Sequence, residues 1–438
     1  MINYSQGAPA SRPGARGLGG RWWLGMFLMI AWAGPGRSEP VDITLIPAPV
    51  SGSGGGEALQ SNPNPAGGDP SVKLTVPGSW GDLEYYPMIL EPPDAYVLAM
   101  PDLKTHLEPN RWNFSGMNAG AAVAILRDAG LPDETIDRLA VPPVMNETPE
   151  GTVFEPSDEL ILGLTMDART KLYGALAKAN PTSIYSKPYV IDSKGFFSMS
   201  ERSGISSGAQ NLIDRLTFYQ VGSKSFSDIG LVLRNCTGDE ERWRVVKTLL
   251  REKSLNLRLR LSKSSDIEAL ADYWSSGGRN KDVIPLLESV VNTEGVERLD
   301  VVHLLPPNTR KLIHTYPRPM MSVGQQLPDC FWTAFNFFSY DPSDRHFDSI
   351  AFEAQLAGRY ERATKPYQFG DLIVIANPAD GSALHACNYV AGDIVLTKNG
   401  RSFNRPWVFS RLQDVVSGYL KAPKVSVAFF RLKEPPQS

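Results

Sequence analysis

A cysteine at the head of an apolar, helix-like segment constrains this chain more than any other feature of its sequence. The segment is Asp-Cys-Phe-Trp-Thr-Ala-Phe-Asn-Phe-Phe, residues 329–338, and a proline precedes it. Pro328 and Asp329 are typical of residues that start a helix, so the pattern places Cys330 in the first helical turn. A helix N-terminus stabilises negative charge, and the thiolate is the nucleophilic form of cysteine. Cys330 is therefore a candidate nucleophile, and its backbone N–H is a candidate oxyanion donor.

A histidine that could act as a base follows in a segment with strand-like alternation. Residues 383–390 alternate so that His385, Cys387 and Tyr389 share one face of the predicted strand. An imidazole next to a thiol can take its proton and later give that proton to a leaving amine. The chemistry of the two side chains therefore makes Cys330 a candidate nucleophile and His385 a candidate base and then acid.

A third polar side chain normally orients such an imidazole, and three consecutive residues are candidates. We favour Asn399, because an amide oxygen can accept a hydrogen bond from an imidazole N–H. Thr397 and Lys398 stay open as alternatives. Asn399 and Gly400 also form a standard hairpin turn signal, which is a purely structural reason for an asparagine at this position.

The chain from about Pro319 to its end resembles the NlpC-type cysteine peptidases, a papain-like family of bacterial cell-wall enzymes. The resemblance rests on short motifs in the right order: Asp329–Cys330 opening a helix, Gly370–Asp371–Leu372 opening a strand, His385 leading the next strand, a hairpin strand at 393–398 and a closing strand at 425–432. The cysteine precedes the histidine, which argues against the circularly permuted relatives. Phe331 and Trp332 replace the small residue pair that is usual after the cysteine, and this changes the expected shape of the substrate cleft.

The resemblance implies a fold, an activity and a set of site residues. Residues 319–438 would form a papain-like domain in which an N-terminal helix packs on an antiparallel sheet. The activity would be hydrolysis of an amide bond in peptidoglycan stem peptides, with Cys330, His385 and Asn399 as catalytic residues and no cofactor or metal. Two alternatives stay open: a catalytically inactive binding or scaffold protein of the cell envelope, and a thiol amidase or acyltransferase acting on another substrate.

The first 38 residues have the composition of an export signal. Arginines precede the apolar run 22–30, and Ala31–Trp32–Ala33 fits a small-x-small cleavage site. We expect export to the periplasm or cell envelope of a bacterium, and an uncleaved N-terminal anchor, the sole expected membrane contact, stays open as an alternative. Residues 39–71 are rich in glycine, proline and serine, and we expect a flexible linker there.

Residues 72–318 are predicted to form a helix-rich α+β domain of unknown role. The patterns predict helices at 167–179 and 239–253 and strands at 255–261 and 299–305. The chain has 44 basic and 47 acidic residues and 42% hydrophobic residues, which is typical of a globular protein. It has no basic stripe with interleaved aromatic residues, so the sequence gives no indication of nucleic-acid binding.

The remaining cysteines and histidines provide competing explanations for the candidate site. An exported protein tends to pair its cysteines, so a disulfide between Cys330 and Cys387 is an alternative to a nucleophilic Cys330. His346 is a competing base, although its context predicts the solvent-exposed start of a helix. His303 lies in an apolar segment and is predicted to be a core histidine. No histidine or cysteine has the spacing of a metal ligand set.

Overall fold

The computed structural model shows a mixed α+β chain. It describes residues 72–98, 107–191, 196–220, 223–281, 283–318, 321, 326–347, 349–419 and 425–433. The predicted export signal at 1–38 and linker at 39–71 lie outside the described residues. Within the described part of the chain, every helix is too short or too polar to cross a membrane.

The helices are short, and most of them lie before residue 300. They are α1 (Asp94–Leu98), α2 (Ala119–Asp128), α3 (Asp133–Leu139), α4 (Asp158–Gly163), α5 (Met166–Ala179), α6 (Phe196–Ser200), α7 (Ser207–Arg215), α8 (Ile229–Arg234), α9 (Asp239–Leu249), α10 (Ile267–Ser275), α11 (Val283–Asn292), α12 (Pro307–Leu312), α13 (Cys330–Phe335), α14 (Ser349–Arg359) and α15 (Leu412–Ser417). Short 3-10 helices are present at Val301–Leu304 and Asp344–Phe347.

The strands form four antiparallel sheets. They are β1 (Lys73–Leu74), β2 (Asp82–Leu90), β3 (Trp112–Ser115), β4 (Met145–Thr148), β5 (Gly151–Phe154), β6 (Tyr189–Val190), β7 (Phe218–Gln220), β8 (Ser223–Phe226), β9 (Glu252–Arg260), β10 (Arg298–Asp300), β11 (Tyr360–Arg362), β12 (Leu372–Ala376), β13 (Ala383–Ala391), β14 (Ile394–Lys398), β15 (Trp407–Arg411) and β16 (Ser426–Leu432). The strand orders are β1-β2-β9-β10, β3-β5-β4, β6-β8-β7 and β11-β16-β12-β13-β14-β15.

The region before residue 318 confirms the predicted α+β class and corrects two details. Strand β9 begins at Glu252, inside the predicted helix 239–253, because β2 and β9 pair over nine residues and draw residues 252 and 253 into the sheet. The predicted strand 299–305 was wrong beyond Asp300, where the Asp300 side chain accepts from the Val302 N–H and starts a 3-10 turn. His303 lies in that turn and is exposed, so the predicted core position was also wrong.

The six-stranded sheet carries the candidate site and is covered on both faces. Helix α13 packs against one face, where Ala334 and Phe335 share a core with Leu372 and Ala386. The opposite face packs against α15 through residues that alternate with these along the strands; Cys387, for example, shares a core with Val415 of α15. This alternation is the expected consequence of successive side chains pointing to opposite faces of a strand.

One hydrophobic core includes residues from both sides of the predicted domain boundary at 318 and 319. Leu257 and Trp274 pack in the same buried cluster as Phe369 and Phe409. The Tyr273 hydroxyl donates to the Val390 carbonyl at 2.6 Å. The division of the chain into domains at this point stays a prediction, and the two regions share apolar side chains and hydrogen bonds.

Candidate thiol active site

Cys330 begins helix α13, as the sequence predicted. Asp329 caps the helix, because its Oδ1 accepts from the Trp332 N–H at 2.9 Å. The second carboxylate oxygen of Asp329 accepts from the Arg401 Nε at 2.9 Å, so the capping residue is also held from the loop after β14. This double contact fixes the backbone that carries Cys330.

The Cys330 thiol is buried against strand β13. Its side chain is close to the backbone of Ala386, the residue directly after His385. A hydrogen bond from this backbone favours the thiolate form of Cys330. Burial raises the pKa of Cys330 to about 12, and the neighbouring Asp329 carboxylate raises the pKa as well. Cys330 is therefore a neutral thiol at pH 7 in this structure, despite its position at a helix N-terminus.

His385 lies on β13 and is fully buried, with both ring nitrogens in hydrogen bonds. Its Nε2 is 2.7 Å from the Thr397 Oγ1, and its Nδ1 is 2.8 Å from the Tyr419 hydroxyl. The rings of His385 and Tyr419 are stacked with centroids 4.7 Å apart. Burial lowers the pKa of His385 to about 3, so the imidazole is neutral at pH 7.

The tautomer of His385 with the proton on Nε2 satisfies all three hydrogen bonds of this chain. The Thr397 hydroxyl donates to the Asn399 Oδ1 at 3.4 Å, so its oxygen accepts from the His385 Nε2–H. Nδ1 then has a lone pair, which accepts from the Tyr419 hydroxyl. This tautomer leaves Nδ1 as the nitrogen that can take up a proton.

Thr397, one of the alternatives that the sequence left open, is the polar residue in direct contact with the Nε2 side of the imidazole. Asn399, the residue favoured from the sequence, stands one hydrogen bond further and reaches the ring only through the Thr397 hydroxyl. Tyr419 was not identified from the sequence. It lies just after α15, and no local pattern there distinguishes a tyrosine that contacts His385 from an ordinary core aromatic residue.

Tyr419 lies near both Cys330 and His385. Burial raises the pKa of Tyr419, and a thiolate at Cys330 or Cys387 would raise it further. Within the described residues, the hydrogen bonds of the imidazole go to Thr397 and Tyr419, and none joins it to the Cys330 sulfur. The catalytic pairing of Cys330 with His385 stays a prediction.

Lys398 is a buried amine beside the thiol. Its Nζ donates to the Gly400 carbonyl at 2.6 Å and to the Ser402 carbonyl at 3.3 Å. Burial lowers the pKa of Lys398 to about 7, while the Asp329 carboxylate raises it, as would a thiolate at Cys330. The side chain can therefore be cationic or neutral near physiological pH, and it lies near Cys330.

The competing sequence interpretations have clear structural outcomes. Cys330 and Cys387 are both free and buried, so the alternative of a disulfide between them is wrong. His346 is buried rather than solvent-exposed, because its ring packs at 5.2 Å from the ring of Phe335. Phe335 is the last residue of α13, so this contact places His346 at the end of the helix opposite to Cys330.

The site residues present no arrangement that favours a metal. Among the residues that the structure describes, no group of three histidine, cysteine, aspartate or glutamate side chains is placed to hold a metal ion. Comparisons with protein-family models, with curated proteins and with solved structures found no match to this chain. The functional argument therefore depends on the geometry of the site and on the short motifs of the sequence.

Proposed function

We propose that this protein is an exported thiol hydrolase of the NlpC type that cleaves an amide bond in peptidoglycan stem peptides. The proposal is carried by one observation: a capped helix starts at Cys330 and packs on an antiparallel sheet, with the thiol against the backbone beside His385. The export part of the proposal depends on residues 22–33, which have the pattern of a signal segment.

The proposed reaction starts from a neutral thiol and a neutral imidazole. Nδ1 of His385 takes the Cys330 proton after the Tyr419 hydroxyl has moved away, and the resulting thiolate attacks the amide carbonyl. The backbone N–H of Cys330 stabilises the developing oxyanion. The imidazolium then gives its proton to the leaving amine, and water hydrolyses the thioester to regenerate the thiol.

Thr397 has the orienting role in this proposal. Its hydroxyl oxygen accepts from the Nε2–H and so keeps Nδ1 as the free base. When the imidazole becomes positively charged, the hydrogen bond to Thr397 becomes charge-assisted and stronger. Asn399 supports Thr397 by accepting from the threonine hydroxyl.

A second candidate function is that of a non-catalytic papain-like binding or scaffold protein of the cell envelope. It is favoured by the pKa shifts, because burial raises the pKa of Cys330 and lowers that of His385, which opposes formation of a thiolate–imidazolium pair. The scaffold function is also favoured by the Tyr419 hydroxyl, because it forms a hydrogen bond with Nδ1, the nitrogen of His385 that would have to take up the proton.

Product analysis on purified peptidoglycan distinguishes the two candidates. The full-length protein is incubated with peptidoglycan, and mass spectrometry identifies the products. The hydrolase proposal expects fragments that carry new amino and carboxyl ends in equal amounts. Binding to peptidoglycan without any new ends would support the scaffold function and refute the hydrolase.

A further inference from the structure

A cavity of about 360 Å³ lies beside the carboxyl-terminal end of α13, at the opposite end of that helix from Cys330. Its walls come from the end of α13 and the residues after it, from the junction of α14 and β11, from the segments after α10 and before β12, and from β13 and β16. The lining includes Arg279, Arg359, Tyr360 and Asn388. The volume is at the lower end of the range for small-molecule sites in proteins.

Two guanidinium groups act on the same point of this cavity. Arg279 and Arg359 both line the cavity together with Tyr360. Burial raises the pKa of the Tyr360 hydroxyl to about 12, and the charges of both arginines lower it. The described residues that line the cavity include no aspartate or glutamate. Neither arginine forms an ion pair with a carboxylate from the described parts of the chain. Like charges that are brought together without a counter-ion attract an anion.

Asn388 supplies a hydrogen-bond acceptor of fixed orientation. Its Nδ2 donates to the Ala334 carbonyl at 3.1 Å and to the Gly370 carbonyl at 3.5 Å, so the amide cannot be turned round without losing both bonds. Its Oδ1 is buried and has no hydrogen-bond partner among the residues that the structure describes. A buried acceptor of this kind favours a ligand that brings an N–H group.

We propose that this cavity binds the carboxylate end of an amino acid or a peptide. The carboxylate lies between Arg279 and Arg359, and the N–H on the adjacent carbon donates to the Asn388 Oδ1. Arginine is well suited to a carboxylate, because its planar N–H groups match the two oxygens. The proposal does not depend on the catalytic role of Cys330, since the cavity is formed by other residues.

Isothermal titration calorimetry of the full-length protein with a matched pair of probes tests whether the cavity binds a carboxylate. N-acetyl-alanyl-alanine has the free carboxylate and the N–H, whereas in its C-terminal amide an NH2 group replaces one carboxylate oxygen and the negative charge is lost. We expect the acid to bind at least about tenfold more tightly than the amide, as for a charge-assisted contact. Titration with free alanine then distinguishes a free amino acid from a peptide end as the source.

Two variants and a control locate the binding. Arg279→Gln and Arg359→Gln should each weaken binding of the acid by about tenfold. Arg138→Gln, which removes an exposed arginine from the remote helix α3, should leave it unchanged. Equal affinity for the acid and the amide, absence of binding by every carboxylate probe, or unchanged binding in both cavity variants would overturn the proposal. Binding of inorganic phosphate alone would also overturn it.

Discussion

The environment of His385 is the clearest case of function and burial opposing each other at the scale of single residues. The ring is buried, so its charged form is disfavoured, yet the proposed reaction requires that form. Thr397 stabilises the imidazolium only through one neutral hydroxyl. Loss of the Tyr419 contact, with entry of substrate, is the step that would make His385 a usable base.

Removal of the Thr397 hydroxyl should impair catalysis more than removal of the Asn399 side chain. Thr397→Val keeps the shape but loses the acceptor of the Nε2–H, so we expect kcat/KM to fall about tenfold or more, equivalent to about 1.4 kcal/mol. Asn399→Ala removes only the residue behind Thr397 and should reduce kcat/KM less. The check is the rate of product release from peptidoglycan, and a larger effect of Asn399→Ala would show that the sequence-based choice was right.

The buried His385 should also make stability depend on pH. Its folded pKa of about 3 lies below the ordinary value of 6.5, so the unfolded chain binds the proton more strongly. The contribution of neutral His385 to the free energy of unfolding is therefore complete above pH 6.5, and it is lost as the pH falls from 6.5 towards 3. Within that window the loss is about 1.4 kcal/mol per pH unit for one proton.

Urea unfolding of two histidine variants across this range isolates the effect. His385→Gln should unfold with a shallower decline in free energy between pH 6.5 and pH 3 than the wild type. His303→Gln replaces an exposed histidine and should retain the wild-type decline. If both variants follow the wild-type curve, then His385 is not buried as a neutral group.

At the scale of secondary-structure elements, the sequence predicted the frame of the site better than its contacts. The start of α13 at Cys330 and the strand around His385 follow from local signals: a capping aspartate, a run of apolar residues, and alternation. The contacts of His385 depend instead on β14 and on the turn after α15, which come from later parts of the chain. Such long-range contacts have no signal in a local pattern.

Gly370 was predicted to open a strand, and the structure gives the physical reason for a glycine. Its φ is +85°, and an added Cβ would lie 2.2 Å from the ring of Phe338. Gly381 also has positive φ, at +73°, but open space surrounds it. A comparison of substitutions at the two glycines therefore distinguishes the cost of the backbone conformation from the cost of steric overlap.

Alanine substitution at the two glycines should have unequal effects on stability. Gly381→Ala should cost about 1–2 kcal/mol of unfolding free energy, from the backbone conformation alone. Gly370→Ala should cost about 1–3 kcal/mol more, because the Phe338 ring must also move. Chemical denaturation of both proteins measures this, and equal losses would mean that the packing around Gly370 is looser than described.

For the whole molecule, the shared core determines which part of the chain can fold alone. Motifs of the sequence place the proposed catalytic region in residues 319–438, but local motifs do not report which side chains cover a sheet. Leu257 and Trp274 pack with Phe369 and Phe409, and the Thr309 hydroxyl donates to the Phe337 carbonyl at 2.7 Å. A fragment that begins at 319 would expose this surface.

We therefore expect the fragment 319–438 not to fold stably, whereas 72–438 should unfold cooperatively. The reason is that the fragment loses the apolar partners of Phe369 and Phe409 and gains exposed hydrophobic area. Circular dichroism during thermal unfolding provides the comparison. A cooperative transition in the short fragment would show that the predicted boundary separates two independent domains.

The central claim, that Cys330 is the nucleophile of a hydrolase, is tested most directly by comparing two buried cysteines. Peptidoglycan hydrolysis is measured for the wild type, Cys330→Ala and Cys387→Ala, with circular dichroism confirming that each protein is folded. Both cysteines are free and buried near Tyr419, so Cys387→Ala is a matched control. We predict that Cys387→Ala retains hydrolysis and that Cys330→Ala abolishes it; wild-type activity in the folded Cys330→Ala protein would contradict the account.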